Sequence, residues 1–340
     1  MKILLYTENL KSIEKSGLGK AIKHQMKALE LNGIEYTIDP KDDYDIAHIN
    51  WYGPSSYNLA KKAKKLGKKV IYHAHSTEED FKNSFILSNQ VSGLFKDWII
   101  KCYSLGDLII TPTPYSKKLL ESYDINKPIV DISNGIELKF FEKNEELGKK
   151  FRKDFGFTED DKVIIAVGLY IERKGIVDFV ELAKRLPEYK FIWFGHSPLV
   201  FSTKSAREAV NTKLDNLFFP GYVEPSVLRG AYSGADLYIF PTLEETEGIP
   251  VLEACAAKQN ALIRDIPVFD EWLEDGVNVY KAKDVDEFED KIKKIINGEL
   301  PSLVEEGYKV ALSREISKIG KQLSDVYERV LKMPDEETVK

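Results

Sequence analysis

Apolar residues fall in short continuous runs, each followed by a longer stretch with helical spacing. Residues 3–6 read Ile-Leu-Leu-Tyr, apolar on both faces of a pleat, as in a strand buried within a parallel sheet. A polar loop with Ser16-Gly17-Leu18-Gly19 follows, then a helical pattern from Ala21 to Leu31 closed by Gly33. Further strands are predicted at 34–38, 46–49, 70–72, 108–110 and 128–132, with helices at 57–66, 94–103 and 116–123. The rhythm then repeats. Strands are predicted at 163–167, 189–194, 217–219, 236–240 and 260–264, and helices at 176–186, 225–232 and 285–296. Short strands alternating with helices imply parallel α/β sheets, and 340 residues exceed what one core usually covers. Residues 142–150 are charged and without apolar periodicity, which marks a boundary between domains 1–145 and 146–314. A last amphipathic helix, at about 315–332, has no following strand and is expected to pack back on the first domain.

Composition narrows the function classes. Hydrophobic residues make up 43% and charged residues 31% of the chain, a globular balance. Net charge is −6, which argues against wholesale nucleic-acid binding. Residues 1–150 carry 23 Lys, no Arg and 20 Asp+Glu, a net +3, and the remainder carries 26 Lys+Arg and 35 Asp+Glu, a net −9. The two halves are thus suited to different partners. The 2 cysteines, Cys102 and Cys255, sit in apolar helical surroundings and match neither a disulfide framework nor a zinc spacing. The first apolar run is too short for a signal peptide, and no stretch reaches transmembrane length. A cytoplasmic protein is expected.

Candidate chemistry clusters at strand ends. Pro241 to Ala257 reads P-T-L-E-E-T-E-G-I-P-V-L-E-A-C-A-A after an apolar strand. A strand end, an acidic loop and a helix N-terminus together suit a ligand crevice in an α/β sheet, although an acidic surface loop has the same composition. Gly168-Leu169-Tyr170-Ile171-Glu172-Arg173-Lys174-Gly175 places two cations at a helix start, where the dipole repels them unless a diphosphate lies there. The Ser16-Gly17-Leu18-Gly19-Lys20 loop resembles a phosphate cradle but lacks the third glycine of a dinucleotide fingerprint and the Gly-Lys-Ser/Thr ending of a P-loop. His73-Ala74-His75 closes a strand, offering a sugar-contacting or acid/base group but no assignable metal set. Asp43-Tyr44-Asp45 lies among lysines and reads as a solvated loop.

Taken in order, Asn134-Gly135-Ile136, Arg173-Lys174-Gly175, Gly195, Gly221-Tyr222-Val223, Gly234-Ala235-Asp236 and the E-x7-E pair Glu245/Glu253 resemble the family 4 retaining glycosyltransferases. The stretches His75 to Phe81 and Glu244 to Gly248 are similar to the bacterial glycolipid synthases that add a second hexose to monoglucosyl-diacylglycerol. The resemblance implies a GT-B fold: two Rossmann-like parallel-sheet domains facing a central cleft. It implies a metal-independent retaining transfer of galactose or glucose from UDP-galactose or UDP-glucose, without a permanently bound cofactor. Glu253 would bind the ribose hydroxyls and Glu245 the donor sugar. Backbone N–H groups near Gly248 and Ile249 would face the diphosphate or the sugar, with Arg173 and Lys174 neutralising the diphosphate charge. Tyr222 and Val223 would lie by the uracil, Gly17 would approach the donor, and His75 would contact the transferred sugar. Where many relatives carry Arg, this chain has Leu169.

The same likeness implies a glycolipid acceptor and a peripheral seat on the cytoplasmic face of the membrane, with activation by anionic lipid. Lys61, Lys62, Lys64, Lys65, Lys68 and Lys69 near Phe95 and Trp98 suit an anionic surface. A polysaccharide or teichoic-acid precursor is an alternative acceptor. A UDP-sugar epimerase or a non-catalytic sugar-nucleotide-binding protein would share the architecture.

Overall fold

A computed structural model describes residues 1–8, 10–13 and 16–334. The described residues divide into two compact units, the first built from those within 1–78, 91–135 and 314–334, the second from 79–90 and 136–313. Each contains a six-stranded parallel sheet.

In the first unit the strands are β1 (Lys2–Tyr6), β2 (Glu35–Thr37), β3 (Ile46–Ile49), β4 (Lys69–His73), β5 (Leu108–Thr111) and β6 (Ile129–Asp131), in the order β2-β1-β3-β4-β5-β6. The period-2 alternation of a strand divides the apolar residues between two faces. Leu4, Ala47, Val70, Tyr72 and Ile109 pack with the helices Pro54–Lys65 and Ser88–Tyr103, through Leu59, Ala63, Ile99 and Cys102. Ile3, Ile46, Ile71, Leu108 and Ile110 face the other way, onto Ile319, Leu323, Val326, Tyr327 and Val330 of the terminal helix Ile316–Leu331. That helix therefore completes the first unit, each buried side chain contributing about 1.5–3 kcal/mol. It also packs closely on the helix Gly17–Leu31, since a Cβ at Gly320 would lie 2.4 Å from the Ala28 carbonyl oxygen.

In the second unit β7 (Val163–Val167), β8 (Lys190–Phe194), β9 (Leu217–Gly221), β10 (Leu237–Phe240), β11 (Ala261–Arg264) and β12 (Tyr280–Ala282) run in the order β12-β11-β10-β7-β8-β9. Ile164, Phe179, Leu182, Phe191, Trp193, Leu237 and Leu262 form its buried centre.

The strand β12 and the helices Lys204–Asn211 and Val304–Ser313 were not read in the sequence, and two further readings differ from the structure. Residues 142–150, read as a boundary, contribute to a helix, Glu145–Asp154, that belongs to the second unit. Its apolar face is narrow, with only Gly148 and Phe151 buried, too sparse for a periodic signal. The Ser16–Gly19 loop is instead the start of a helix: Ser16 is its N-cap, and its side chain accepts a hydrogen bond from the Gly19 amide at 3.2 Å.

Candidate active site

The second sheet reverses its strand order between β7 and β10. Loops leaving the carboxyl ends of two such strands diverge and open a crevice. The loop after β7 carries Arg173 and Lys174, and the loop after β10 carries Glu244 to Gly248. Backbone contacts tie the two together: the Leu243 amide and the Thr242 hydroxyl both donate to the Arg173 carbonyl, at 2.7 and 3.2 Å. Lys174 Nζ then forms an ion pair with Glu245 Oε1, with 15% and 9% of the two side chains exposed. Burial lowers the Lys174 pKa below its ordinary value, with Glu245 opposing the shift. A buried pair of this kind repays its desolvation only with good geometry, and removing one partner strands the other charge.

Arg173, expected beside a diphosphate, is committed to the protein itself. Its Nε donates to Ser84 Oγ at 2.9 Å, its Nη1 to the Glu244 carbonyl at 2.7 Å, and its Nη2 pairs with Asp80 Oδ1 at 2.9 Å. A planar guanidinium satisfied on three sides has few donors left. Arg173 thus fastens segment 79–90 to the acidic loop, and Lys174 is the cation of the two whose ion pair lies with an expected sugar contact.

Gly248 is the N-cap of the helix Ile249–Ala256, at φ 91° and without a side-chain cap. A Cβ there would approach Phe240 and Phe269 at 3.2 and 3.3 Å, so both the backbone angle and the space require glycine. Glu253, on that helix, is fully buried. The Tyr232 hydroxyl donates to its Oε2 at 2.9 Å, while the buried Tyr238 hydroxyl has no hydrogen-bond partner among the described residues. Burial, with the Glu253 carboxylate adding to it, pushes both phenols well above their usual pKa. Any ligand that reaches Glu253 must first displace the atoms covering it. Glu247 is buried as well, so the acidic loop is not a solvated feature.

Tyr222 and Val223 follow β9 on the same edge of the sheet. The Gly168 amide donates to the Phe194 carbonyl and the Gly195 amide to the Gly221 carbonyl, each at 2.9 Å, and these bonds align the ends of β7, β8 and β9. Tyr222 is exposed.

In the first unit the reversal lies between β1 and β3. A Cβ at Gly17 would meet nothing within 4 Å, so packing does not demand glycine there. His48 on β3 lies in register with Ile71 on β4, which puts His48, His73 and His75 on one face. Their rings stack, with centroids 5.3 Å apart for His48–His73 and 4.1 Å for His73–His75. His48 Nδ1 lies 2.7 Å from the Tyr327 hydroxyl, and its Nε2 lies 3.2 Å from His73 Nδ1. Gln25 Nε2 donates to Asn50 Oδ1 at 2.9 Å and lies 2.9 Å from His73 Nδ1, while His75 Nε2 lies 2.8 Å from Asn50 Oδ1. Burial lowers the His48 pKa to about 3 and that of His73 well below the usual value. The row is a stack of neutral imidazoles, with His75 at its end.

The expected membrane residues divide. Lys69 is buried and donates to the Met333 carbonyl at 2.8 Å. Lys64 pairs with Asp107 at 3.2 Å and Lys68 with Asp43 at 2.9 Å. Lys61, Lys62 and Lys65 are exposed. Phe95 and Trp98 pack against the first unit's core, and Trp98 Nε1 donates to the Tyr52 carbonyl at 2.6 Å. These two aromatics are structural, because their helix needs them on its inner face.

Tyr232, Tyr238, Ser84, Gln25, Asn50 and Tyr327 were not singled out in the sequence. A lone His between Ala47 and Ile49 in an apolar strand was a readable signal for His48. The others join these clusters from distant segments.

The family model described as glycosyl transferases group 1 matches residues 148–310, and the one described as glycosyltransferase family 4 matches residues 28–140. The chain is 44% identical over 336 residues to the processive diacylglycerol alpha-glucosyltransferase of Acholeplasma laidlawii, covering 98% of this chain and 99% of that one. It is 24% identical to the alpha-galactosylglucosyldiacylglycerol synthase of Streptococcus pneumoniae, over 68% of this chain and 63% of that one. The crystal structure of Anabaena HepE in complex with UDP-glucose superposes with a TM-score of 0.78 at 15% identity, covering 97% of this chain and 100% of that one.

Proposed function

The chain belongs to the family 4 glycosyltransferases, with the GT-B fold, and on that premise we propose that it moves glucose from UDP-glucose onto a diacylglycerol-based membrane lipid. The end-to-end likeness to a diacylglycerol glucosyltransferase carries this reading. It favours glucose over galactose and adds diacylglycerol to monoglucosyl-diacylglycerol as an acceptor. The paired loops of the second unit supply a matching donor site. Among the described residues no helix is long and apolar enough to cross a membrane, and the enzyme would meet its acceptor from the membrane surface.

Lys174 neutralises the diphosphate, aided by the backbone N–H groups that begin the helix at Gly248 and Ile249. Once a phosphate draws Lys174, the Glu245 carboxylate accepts hydroxyls of the hexose. Glu253 accepts the ribose hydroxyls, and Tyr222 and Val223 border the uracil. Gly17 lets a helix start approach the donor, and the neutral His75 contacts the transferred sugar. Arg173 acts as a positioning residue through the loops it fastens. The transfer retains configuration by front-face displacement. The bond from the anomeric carbon to the UDP oxygen breaks, that from the acceptor oxygen forms on the same face, and the acceptor proton passes to the departing phosphate.

The test is a matrix of UDP-glucose and UDP-galactose against diacylglycerol and its monoglucosyl form, read by mass spectrometry. Mono- and diglucosyl products with UDP-glucose are expected. No glycosylated lipid with either donor would overturn the reading, and galactosyl products only would overturn the glucose donor.

A further inference from the structure

The second unit carries an apolar surface that the donor site does not use. Phe85, Ile86 and Leu87 are 43%, 48% and 62% exposed, and Val200 and Phe201, from a distant loop, are 66% and 61% exposed. The two loops are joined, because the Ile86 amide donates to the Phe201 carbonyl at 3.1 Å. Contiguous exposed apolar side chains on two linked loops mark an interaction site, whereas scattered ones do not.

The display is rigidly built. Leu87 sits at φ 65°, a left-handed conformation that an ordinary residue adopts only where its surroundings hold it. The Phe85 carbonyl accepts from the Ser88 amide at 3.1 Å, and Ser84 below is held by Arg173. On the other loop, the Ser202 hydroxyl donates to the Tyr170 carbonyl at 2.8 Å, and Leu199 packs on the unit's core. Beside the patch lies a groove of about 410 Å³, whose lining includes Phe85, Leu87, Thr203, Lys204 and Arg207. Its lining holds two cations and no acid. Lys204 lies 3.7 Å from Glu208, with both side chains mostly exposed. Arg207 forms no side-chain ion pair among the described residues.

Aliphatic and aromatic side chains beside cations match one partner, the interface of an anionic bilayer, with acyl chains meeting the former and a lipid phosphate the latter. We propose that this groove and its apolar rim form a membrane-docking site for an anionic phospholipid. The placement differs from the lysines of the first unit, three of which are taken up by other contacts. Arg173 connects the docking loop to the acidic loop beside Lys174 and Glu245, so lipid contact and donor site share one fastening. This proposal rests on the reading that the acceptor is a membrane lipid.

The test uses the full-length enzyme and co-sedimentation with phosphatidylglycerol/phosphatidylcholine vesicles and with pure phosphatidylcholine vesicles. Wild type is expected to bind the anionic vesicles at least tenfold more tightly. The variant Lys204→Gln/Arg207→Gln should lose about 25-fold in that binding, at about fivefold per cation. The variant Val200→Ser/Phe201→Ser should weaken binding to both vesicle types. Both variants should keep wild-type UDP affinity and turnover on detergent-dispersed acceptor. Wild-type-like vesicle binding by both variants, or no vesicle binding by wild type, overturns the docking site whatever the activity. Vesicle binding that depends on these residues, without transfer to any diacylglycerol lipid, upholds the docking site and removes the proposed acceptor.

Discussion

Replacing Lys174 with Met removes one half of the buried pair with Glu245, whose side chains are 15% and 9% exposed. Breaking such a pair costs about 3–5 kcal/mol, because the remaining carboxylate is left uncompensated. Some solvent contact places the expectation near the lower end, about 3 kcal/mol. For a unit of this size that lowers its melting temperature by about 6–12 °C. If Lys174 also binds the donor diphosphate, a charged hydrogen bond of about 1.5–3 kcal/mol is lost, which weakens UDP about 10–150-fold. The double variant Lys174→Met/Glu245→Gln separates the two effects. With both charges gone, stability returns towards wild type, whereas UDP affinity does not. Differential scanning fluorimetry reads the first quantity and isothermal titration with UDP the second. UDP affinity within twofold of wild type in Lys174→Met would refute the diphosphate role and leave the pair purely structural.

Two further perturbations test other parts of the molecule. The buried histidine row binds protons less readily folded than unfolded, since the His48 pKa falls from 6.5 to about 3 and that of His73 also falls. Its contribution is therefore complete above about pH 6.5 and is lost as pH drops towards 3, by up to about 1.4 kcal/mol per pH unit for each imidazole. Urea melts at pH 8, 6 and 5 should show this slope, and His48→Gln should flatten it; an unchanged slope would mean other groups set the acid limit. Gly195→Ala should destabilise by about 3 kcal/mol or more, because Gly195 sits at φ 124° and a Cβ would lie 2.1 Å from the Gly168 carbonyl oxygen. A loss under 1 kcal/mol in the unfolding free energy from urea melts would show that the strand ends are not held as described.

The alternation of short apolar runs with helices was enough to specify two parallel sheets, because strands buried on both faces have no polar side to confuse the count. The helix Val285–Ile296 was legible to the residue and Ile316–Leu331 to within one residue at either end, since each presents a wide apolar stripe. Glu145–Asp154 was not, its buried face being too narrow. The E-x7-E stretch was likewise legible, because a strand, a loop and a helix start adjoin in the chain. The assignments that needed three dimensions were those in which distant segments compete for one group. Arg173 and Lys174 are neighbours with the same charge, yet Asp80 and Ser84, some 90 positions away, claim the first, while Glu245 pairs with the second. Phe95 and Trp98 read as a membrane face until the core of the first unit took them, whereas Phe201 and Leu87 gave no signal until packing left them outside. Local sequence sets the period of an element. Which of its faces is buried, and which acid each cation pairs with, depends on what the rest of the chain brings against it.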